Sequence, residues 1–330
     1  MIDCIFTVDY EIYGNGEGSL RELVYEPAAR LKSIFQKWGK RFVVFVEVAE
    51  LEMIERFGTD EHLEATKQQI RHLHREGFEL GLHLHPQWYN ARYEDGQWRL
   101  DQSEYNLCRL PRERIAQIIK RSLTYLRGIV DEPDFTPLSF RAGNWLLQPA
   151  GPAAAILAEA GVKIDSSVFK GGLQRNHRMD YRPSLRNGPF WRFSDDVNTP
   201  DPAGSLLEMP IHTRMVPVWE LLTMKRVGLE RRSPGANYSR MGKLIRLVDF
   251  TRFRSPLKLD FCRMTIDELT GVMDAVIQED HKNPTSYKPI IAIGHTKDFI
   301  DHKTVASFLS YLERQGITVS TFTDVYEKCA

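Results

Sequence analysis

Three near-continuous apolar runs constrain this chain most: residues 2–8 (Ile-Asp-Cys-Ile-Phe-Thr-Val), 41–46 and 289–294. Strands that read apolar on both faces are covered on both sides, which is the mark of a parallel sheet with helices packed over it. The intervening segments have the matching pattern. Apolar residues recur at helical spacing over 26–38 (Ala28, Leu31, Ile34, Phe35, Trp38), and helices are predicted at 49–57 and 62–75, the last stopped by Gly77. Further helices are predicted at 111–128, 152–160, 265–279 and 303–315, alternating with strands at 138–140, 162–164, 205–210, 256–261 and 317–319. The alternation predicts an α/β fold of parallel strands joined by helical crossovers. No internal repeat interrupts it.

Reactive side chains gather where the predicted strands end. Asp9 and Glu11 follow the first strand. The stretch Glu79-Leu-Gly-Leu-His-Leu-His-Pro-Gln-Trp88 ends a strand in two histidines, and Pro86 then removes a backbone donor. His83 and His85 are two apart, so on a strand their imidazoles share a face, as two ligands of one metal ion do. Arg141, Asp165, His212 and His295 also stand at or just beyond predicted strand ends. In barrels of alternating strands and helices that end carries the active site, so closure would bring these residues to one mouth. One carboxylate with two histidines leaves an open coordination position for water. A second carboxylate would take a proton and a histidine on the opposite strand would return one. That is a layout for hydrolysing an amide or ester. There is no Gly-x-Ser-x-Gly elbow to suggest a serine nucleophile.

Composition narrows the partners. Lysine plus arginine equals aspartate plus glutamate, so no basic excess points to nucleic acid. Four cysteines lie scattered without a Cys-x-x-Cys pair and read as reduced thiols. No window has the length and apolarity of a membrane span, and no signal-like segment precedes the first strand, which sets the expectation of a cytoplasmic protein. The glycines of 13–19 are not followed by Gly-Lys-Ser/Thr and read as a mobile rim, not a phosphate loop. The aromatic-rich stretch 88–110 (Trp88, Tyr89, Tyr93, Trp98, Tyr105) reads either as a loop packed on its own rings or as a surface that stacks on sugars. Residues 214–255 break the rhythm with a basic insertion, including Lys225, Arg226, Arg231 and Arg232, and a helix at 238–253. It is a solvated helix face or a patch receiving a phosphorylated or nucleotide-linked substrate or an acidic polymer.

With those residues in place the sequence resembles the polysaccharide deacetylase superfamily, the NodB-homology fold of carbohydrate esterase family four and its relatives. The resemblance runs from Thr7-Val-Asp-Tyr-Glu11, through Glu79-Leu-Gly-Leu-His83 and Phe140-Arg-Ala-Gly-Asn144, to Ile290-Ile-Ala-Ile-Gly-His295. It implies a distorted, incompletely closed (β/α)7-type barrel, and one catalytic domain over 1–330 carrying the insertion at about 214–255. It also implies roles: Asp9 as catalytic base, Arg141 orienting that base, His83 as the first metal histidine and His295 as general acid. The chain departs from the family's motifs in four places. Asp9-Tyr-Glu11 replaces an adjacent Asp-Asp, so the acidic ligand becomes Glu11 or Asp9 switches role. His83-Leu-His85 replaces His-x-x-x-His, leaving Gln87 where the second histidine would stand. Gly143 and Asn144 replace a proline and an aromatic. Asp165 is the candidate for the aspartate of the fourth motif.

The expected site is therefore one divalent metal ion, zinc first among candidates, on Glu11, His83 and His85. Asp165 would raise the pKa of His295 by charge pairing, and a backbone N–H near Asn144 would hold the oxyanion. Asn144, Trp145 and Trp88 would line the substrate. The implied activity is removal of an acetyl group from an N-acetylated sugar or glycan precursor, carried on a nucleotide or lipid, in surface polysaccharide biosynthesis or modification. The alternatives are an allantoinase-like hydrolase of a non-sugar C–N bond and a catalytically silent glycan-binding protein.

Overall fold

The computed structural model describes residues 1–217, 220, 254–284 and 286–330. Its centre is β1 (Ile2–Tyr10), which pairs in parallel along its length with β8 (Lys288–His295), from Ile2 opposite Lys288 to Asp9 opposite His295. The other edge of β1 is shared. Asp3–Ile5 pair with β9 (Thr318–Ser320), and Thr7–Tyr10 with β2 (Val43–Glu47). Parallel pairing continues through β3 (Glu79–Leu84), β4 (Ser139–Ala142), β5 (Ile164–Asp165) and β7 (Leu206–Glu208). Only β6 (Trp191–Phe193) runs antiparallel, at the far edge beside β7. The nine-stranded sheet has the order β6-β7-β5-β4-β3-β2-β1-β8, with β9 branching from β1.

The sheet curls into an open half-barrel. Past β7, Pro210 cannot donate a ladder bond, and among the described residues the chain beyond it meets β8 through isolated bridges from Ile211 to Ile291 and from Asp260 to Ile293. The expected distorted, incompletely closed barrel is thus borne out, with the closure made by single residues and not by a strand pair.

Alternation along the strands sorts two cores. Ile5, Val43, Phe45, Ile164, Leu207, Met209 and Ile291 fill the barrel interior, and Phe322 and Val325 of α8 (Phe322–Cys329) plug its lower end. The opposite faces of the same strands, including Cys4, Phe6, Val8, Val44 and Leu82, pack under the helices. Phe35 of α1 (Glu26–Lys37) meets Phe6 and Phe42, each with ring centroids 5.0 Å apart in edge contact. The remaining helices lie close to their predicted positions: α2 (Val48–Phe57), α3 (Leu63–Arg75), α4 (Arg112–Val130), α5 (Gly151–Glu159), α6 (Ile266–Lys282) and α7 (His302–Arg314). No helix among the described residues is long and apolar enough to cross a membrane.

Two expectations change, and a third falls outside the described residues. The segment predicted as a sheet strand at 256–261 instead forms Arg254–Lys258, paired antiparallel with Thr213–Pro217 in a separate ribbon. The stretch 88–110 holds a small hairpin, Arg92–Glu94 with Gln97–Arg99, turned by Asp95 and Gly96 at φ 52° and 75°. Asp-Gly flanked by short extended segments is a readable hairpin signal. The helix predicted at 238–253, with Lys225, Arg226, Arg231 and Arg232, lies outside the described residues. The ribbon carries the two ends of that insertion.

Candidate active site

The inward-facing series that forms the interior core continues toward the C-terminal ends of the strands. On β1 the inward series Ile5, Thr7 and Asp9 ends in a carboxylate, and on β3 and β4 the inward positions include His83 and Arg141, which are register partners. Arg141 is wholly buried and fully engaged. Its Nη1 donates to Asp9 Oδ1 at 2.6 Å, Nη2 to Thr7 Oγ1 at 2.9 Å, and Nε to the Ser166 carbonyl at 2.9 Å. Its guanidinium carbon lies 4.1 Å above the Phe45 ring. A buried charge held this way has a fixed orientation, and it fixes Asp9 in turn.

Beside this pair Glu11 faces both histidines. Its Oε2 is 3.1 Å from His85 Nε2 and 3.5 Å from His83 Nε2, and the two imidazoles stand perpendicular with centroids 4.9 Å apart. His83 Nδ1 donates to the Arg141 carbonyl at 2.9 Å, which turns the Nε2 lone pair inward. That Nε2 is buried without a hydrogen-bond partner. His85 Nδ1 meets the carboxamides of Gln87 and Asn144, each at 3.2 Å, while Gln87 Oε1 is buried without a partner. Turning the Gln87 amide over would give Nδ1–H an acceptor and release Nε2 as a ligand. An orphaned imidazole nitrogen, a second that its neighbours can free, and a shared carboxylate fit a divalent ion that prefers nitrogen and oxygen donors. Gly143 admits this geometry: a Cβ there would lie 2.5 Å from the Leu84 carbonyl oxygen and 2.7 Å from the His85 ring.

The charges are mutually set. Burial pushes Asp9 and Glu11 up, but Arg141 and His83 outweigh it at Asp9, and Lys297 and His85 at Glu11, so both carboxyls fall below their ordinary range. Burial opposes charge on His83, yet Asp9 and Glu11 raise it to about 9. His295 Nε2 lies 3.4 Å from Asp9 Oδ2 and 3.9 Å from Glu11 Oε1. Burial keeps it below its ordinary value against the pull of Asp9 and Asp298.

Asp165 is not the carboxylate beside His295. Its neighbour Ile164 fills the barrel interior, so Asp165 faces the other way. There it accepts from the Ser167 hydroxyl at 2.8 Å and stands beside Glu208, its partner across the ladder. Asp298 stands on the outer side of the imidazole instead, with Oδ2 3.6 Å from His295 Nδ1, and Arg263 Nε donates to it at 2.8 Å. Trp88 is also placed otherwise than expected. It is 1% exposed and packs on Trp98, so it offers no surface to a sugar. Asn144 and Trp145 do reach the site, both half-buried, with Trp145 6.2 Å from the His295 ring in edge geometry. Their φ values of 54° and 60° are left-handed, an uncommon and strained conformation for an aromatic residue. His212 lies outside this cluster, where burial lowers it to about 4 with help from Lys170 and Arg214.

Four nearby residues were not assigned from the sequence: Glu47, Lys297, Asp298 and Lys258. Glu47 ends β2 opposite His83 and obeys the same strand-end rule as the others. Lys297 Nζ donates to Glu11 Oε1 at 2.8 Å from the turn after β8, a position no spacing rule reveals.

No family model matches the chain, and no curated protein does. Solved structures share its fold. A protein from Mycobacterium smegmatis assigned as a polysaccharide deacetylase superposes with a TM-score of 0.55 at 15% identity, covering 99% of this chain and 90% of that one. Another so assigned, from Pseudomonas aeruginosa PAO1, gives 0.50 at 12% identity, covering 98% and 89%. A GH57-type branching enzyme from Pyrococcus horikoshii gives 0.58 at 10% identity, covering 98% and 70%. The chain thus has the polysaccharide deacetylase fold, which branching enzymes share, and the chemistry has to be argued from its own residues.

Proposed function

We propose that this protein is a metal-dependent hydrolase of a non-peptide C–N bond, removing the acetyl group from an N-acetylated sugar. The observation that carries the reading is the orphaned Nε2 of His83, set beside Glu11 and His85 and next to an arginine-clamped aspartate. Glu11, His83 and His85 would hold the ion, and zinc suits the donor set. Such an ion supplies Lewis acidity, lowering the pKa of a water and polarising the acetamide carbonyl.

The chain's own groups do the rest. Asp9, with Oδ1 held by Arg141, keeps Oδ2 toward the site to accept the proton of the attacking water. The clamp denies it other rotamers, so the base stays aimed. His295 Nε2 stands on the same side to deliver a proton to the departing amine, and the charge of Asp298, 3.6 Å from its Nδ1, favours the protonated ring. Asn144 and Trp145, on their strained turn, position the substrate at the mouth.

Elemental analysis of protein purified without chelator tests the reading first. One divalent ion per chain is expected, and His83→Ala should lose it. Acetate release from N-acetylhexosamine derivatives should then be measured beside ring opening of cyclic amides. Metal with acetate release supports deacetylation. Activity on the cyclic amides alone moves the protein to the non-sugar hydrolases. No metal after soaking in zinc or cobalt sinks the mechanism.

A further inference from the structure

Three cations near the site are paired with carboxylates. Arg141 has Asp9 at 2.6 Å, Lys297 has Glu11 at 2.8 Å and Arg263 has Asp298 at 2.8 Å. Lys258, the last residue of the ribbon strand Arg254–Lys258, has no carboxylate within ion-pair distance among the described residues. Its Nζ lies instead 3.1 Å from the centre of the Trp145 ring and 4.9 Å from that of Phe169. An indole face attracts an ammonium through its quadrupole without neutralising it, and the N–H groups turned away from the ring remain free donors.

The placement is fixed from both sides. Lys258 pairs with Thr213 in the ribbon, and the next amide, Leu259 N–H, donates to the His212 carbonyl at 2.9 Å. Trp145 is the residue that also edges His295, so the ammonium sits across one indole from the group proposed to protonate the leaving amine. The residue as a whole is half-buried. Burial lowers Lys258 to about 7 although Asp260 pulls the other way, which is the behaviour of a cation short of counter-charge.

We propose that Lys258, seated on Trp145, is a subsite for an anionic substituent of the substrate, a phosphate or a carboxylate carried close to the scissile amide. The inference rests on reading the site as an acyl-sugar hydrolase and narrows the substrate to acidic sugars. Lys258 is then a specificity residue, touching the substrate away from the reacting atoms.

The test is calorimetric binding of three probes at constant ionic strength: N-acetylglucosamine, N-acetylglucosamine 1-phosphate and N-acetylmuramic acid. Each is measured on wild type, Lys258→Met and Lys258→Arg, with acetate release followed in parallel. At least one acidic probe is expected to bind about tenfold or more tightly than the neutral one, as a charge-assisted hydrogen bond allows. Lys258→Met should bring the three to within about twofold, and Lys258→Arg should retain most of the preference. Which acidic probe gains tells phosphate from carboxylate. Equal binding of all three, a preference that survives in Lys258→Met, or no binding of any overturns the subsite. If the Lys258-dependent preference holds without acetate release, the subsite stands and the deacetylase reading falls. If acetate is released equally from all three in both wild type and Lys258→Met, the reverse is true.

Discussion

His83 answers to two opposing influences, burial that favours the neutral ring and two carboxylates that favour the charged one, and the carboxylates prevail. The consequence for metal-free protein has a definite sign. A histidine raised to about 9 in the folded state adds stability that is complete below its unfolded pKa of about 6.5 and is lost as pH climbs through 9. Asp9 and Glu11, lowered by folding, add stability above about pH 4 that is lost as pH falls through their depressed values. Chelator-treated protein should therefore melt highest between these limits, with its Tm falling on both sides. Scanning calorimetry against pH checks this, and His83→Asn should flatten the alkaline side. A wild-type Tm that holds level up to about pH 10 would contradict the assignment. Arg141 makes a second residue-scale prediction. Replacing it with Met strands Asp9 as a buried unpaired charge and should cost about 3–5 kcal/mol in denaturant unfolding. Adding Asp9→Asn to that variant should recover part of the loss, because the stranded charge is then gone.

At the scale of elements, the connections after β2 and β4 carry more than their length suggests. Glu47 closes β2 and opens α2, its Oε1 accepting from the amides of Ala49 at 3.1 Å and Glu50 at 3.4 Å. Glu47→Ala should cost about 1 kcal/mol as a lost cap, while Glu47→Gln, which keeps an oxygen in place, should cost little. After β4, Gly143 lets the chain pass against Leu84 and His85. A methyl group there meets a backbone oxygen that cannot move aside, so the His85 ring must give way. Gly143→Ala should weaken zinc binding by about tenfold or more in a competition titration, with a folded circular dichroism spectrum. Unchanged affinity would mean that His85 is not held by this contact.

On the scale of the whole molecule, the site depends on strands from opposite ends of the chain. Asp9 and His295 are register partners on β1 and β8, and β8 covers one entire edge of β1. A chain ending at Lys282 would lack both His295, the proposed proton donor, and the strand that seals the central edge. We expect it to show no cooperative unfolding transition and to aggregate through the bare edge of β1, readable by denaturation and light scattering. The intact chain should bury that edge and unfold with it.

Periodicity in the sequence determined the alternation of strands and helices, and residue type at strand ends marked Asp9, Glu11, His83, His85, Arg141 and His295, because strand alternation is a local property that survives without knowledge of neighbours. Where a strand was long enough to show its parity, as in β1 and β3, the inward side chains were legible. Strand β5 spans only Ile164–Asp165, too short to display a period, and the face taken by Asp165 was decided by its pairing with β7. Trp88 was buried by the hairpin that folds Trp98 over it. Lys297, Asp298 and Lys258 entered the site from turns and a ribbon, where position follows from the curl of the sheet and not from spacing along the chain. Tertiary structure alone could bring a lysine from the ribbon over the indole of Trp145, since that contact joins segments whose patterns carry no information about each other.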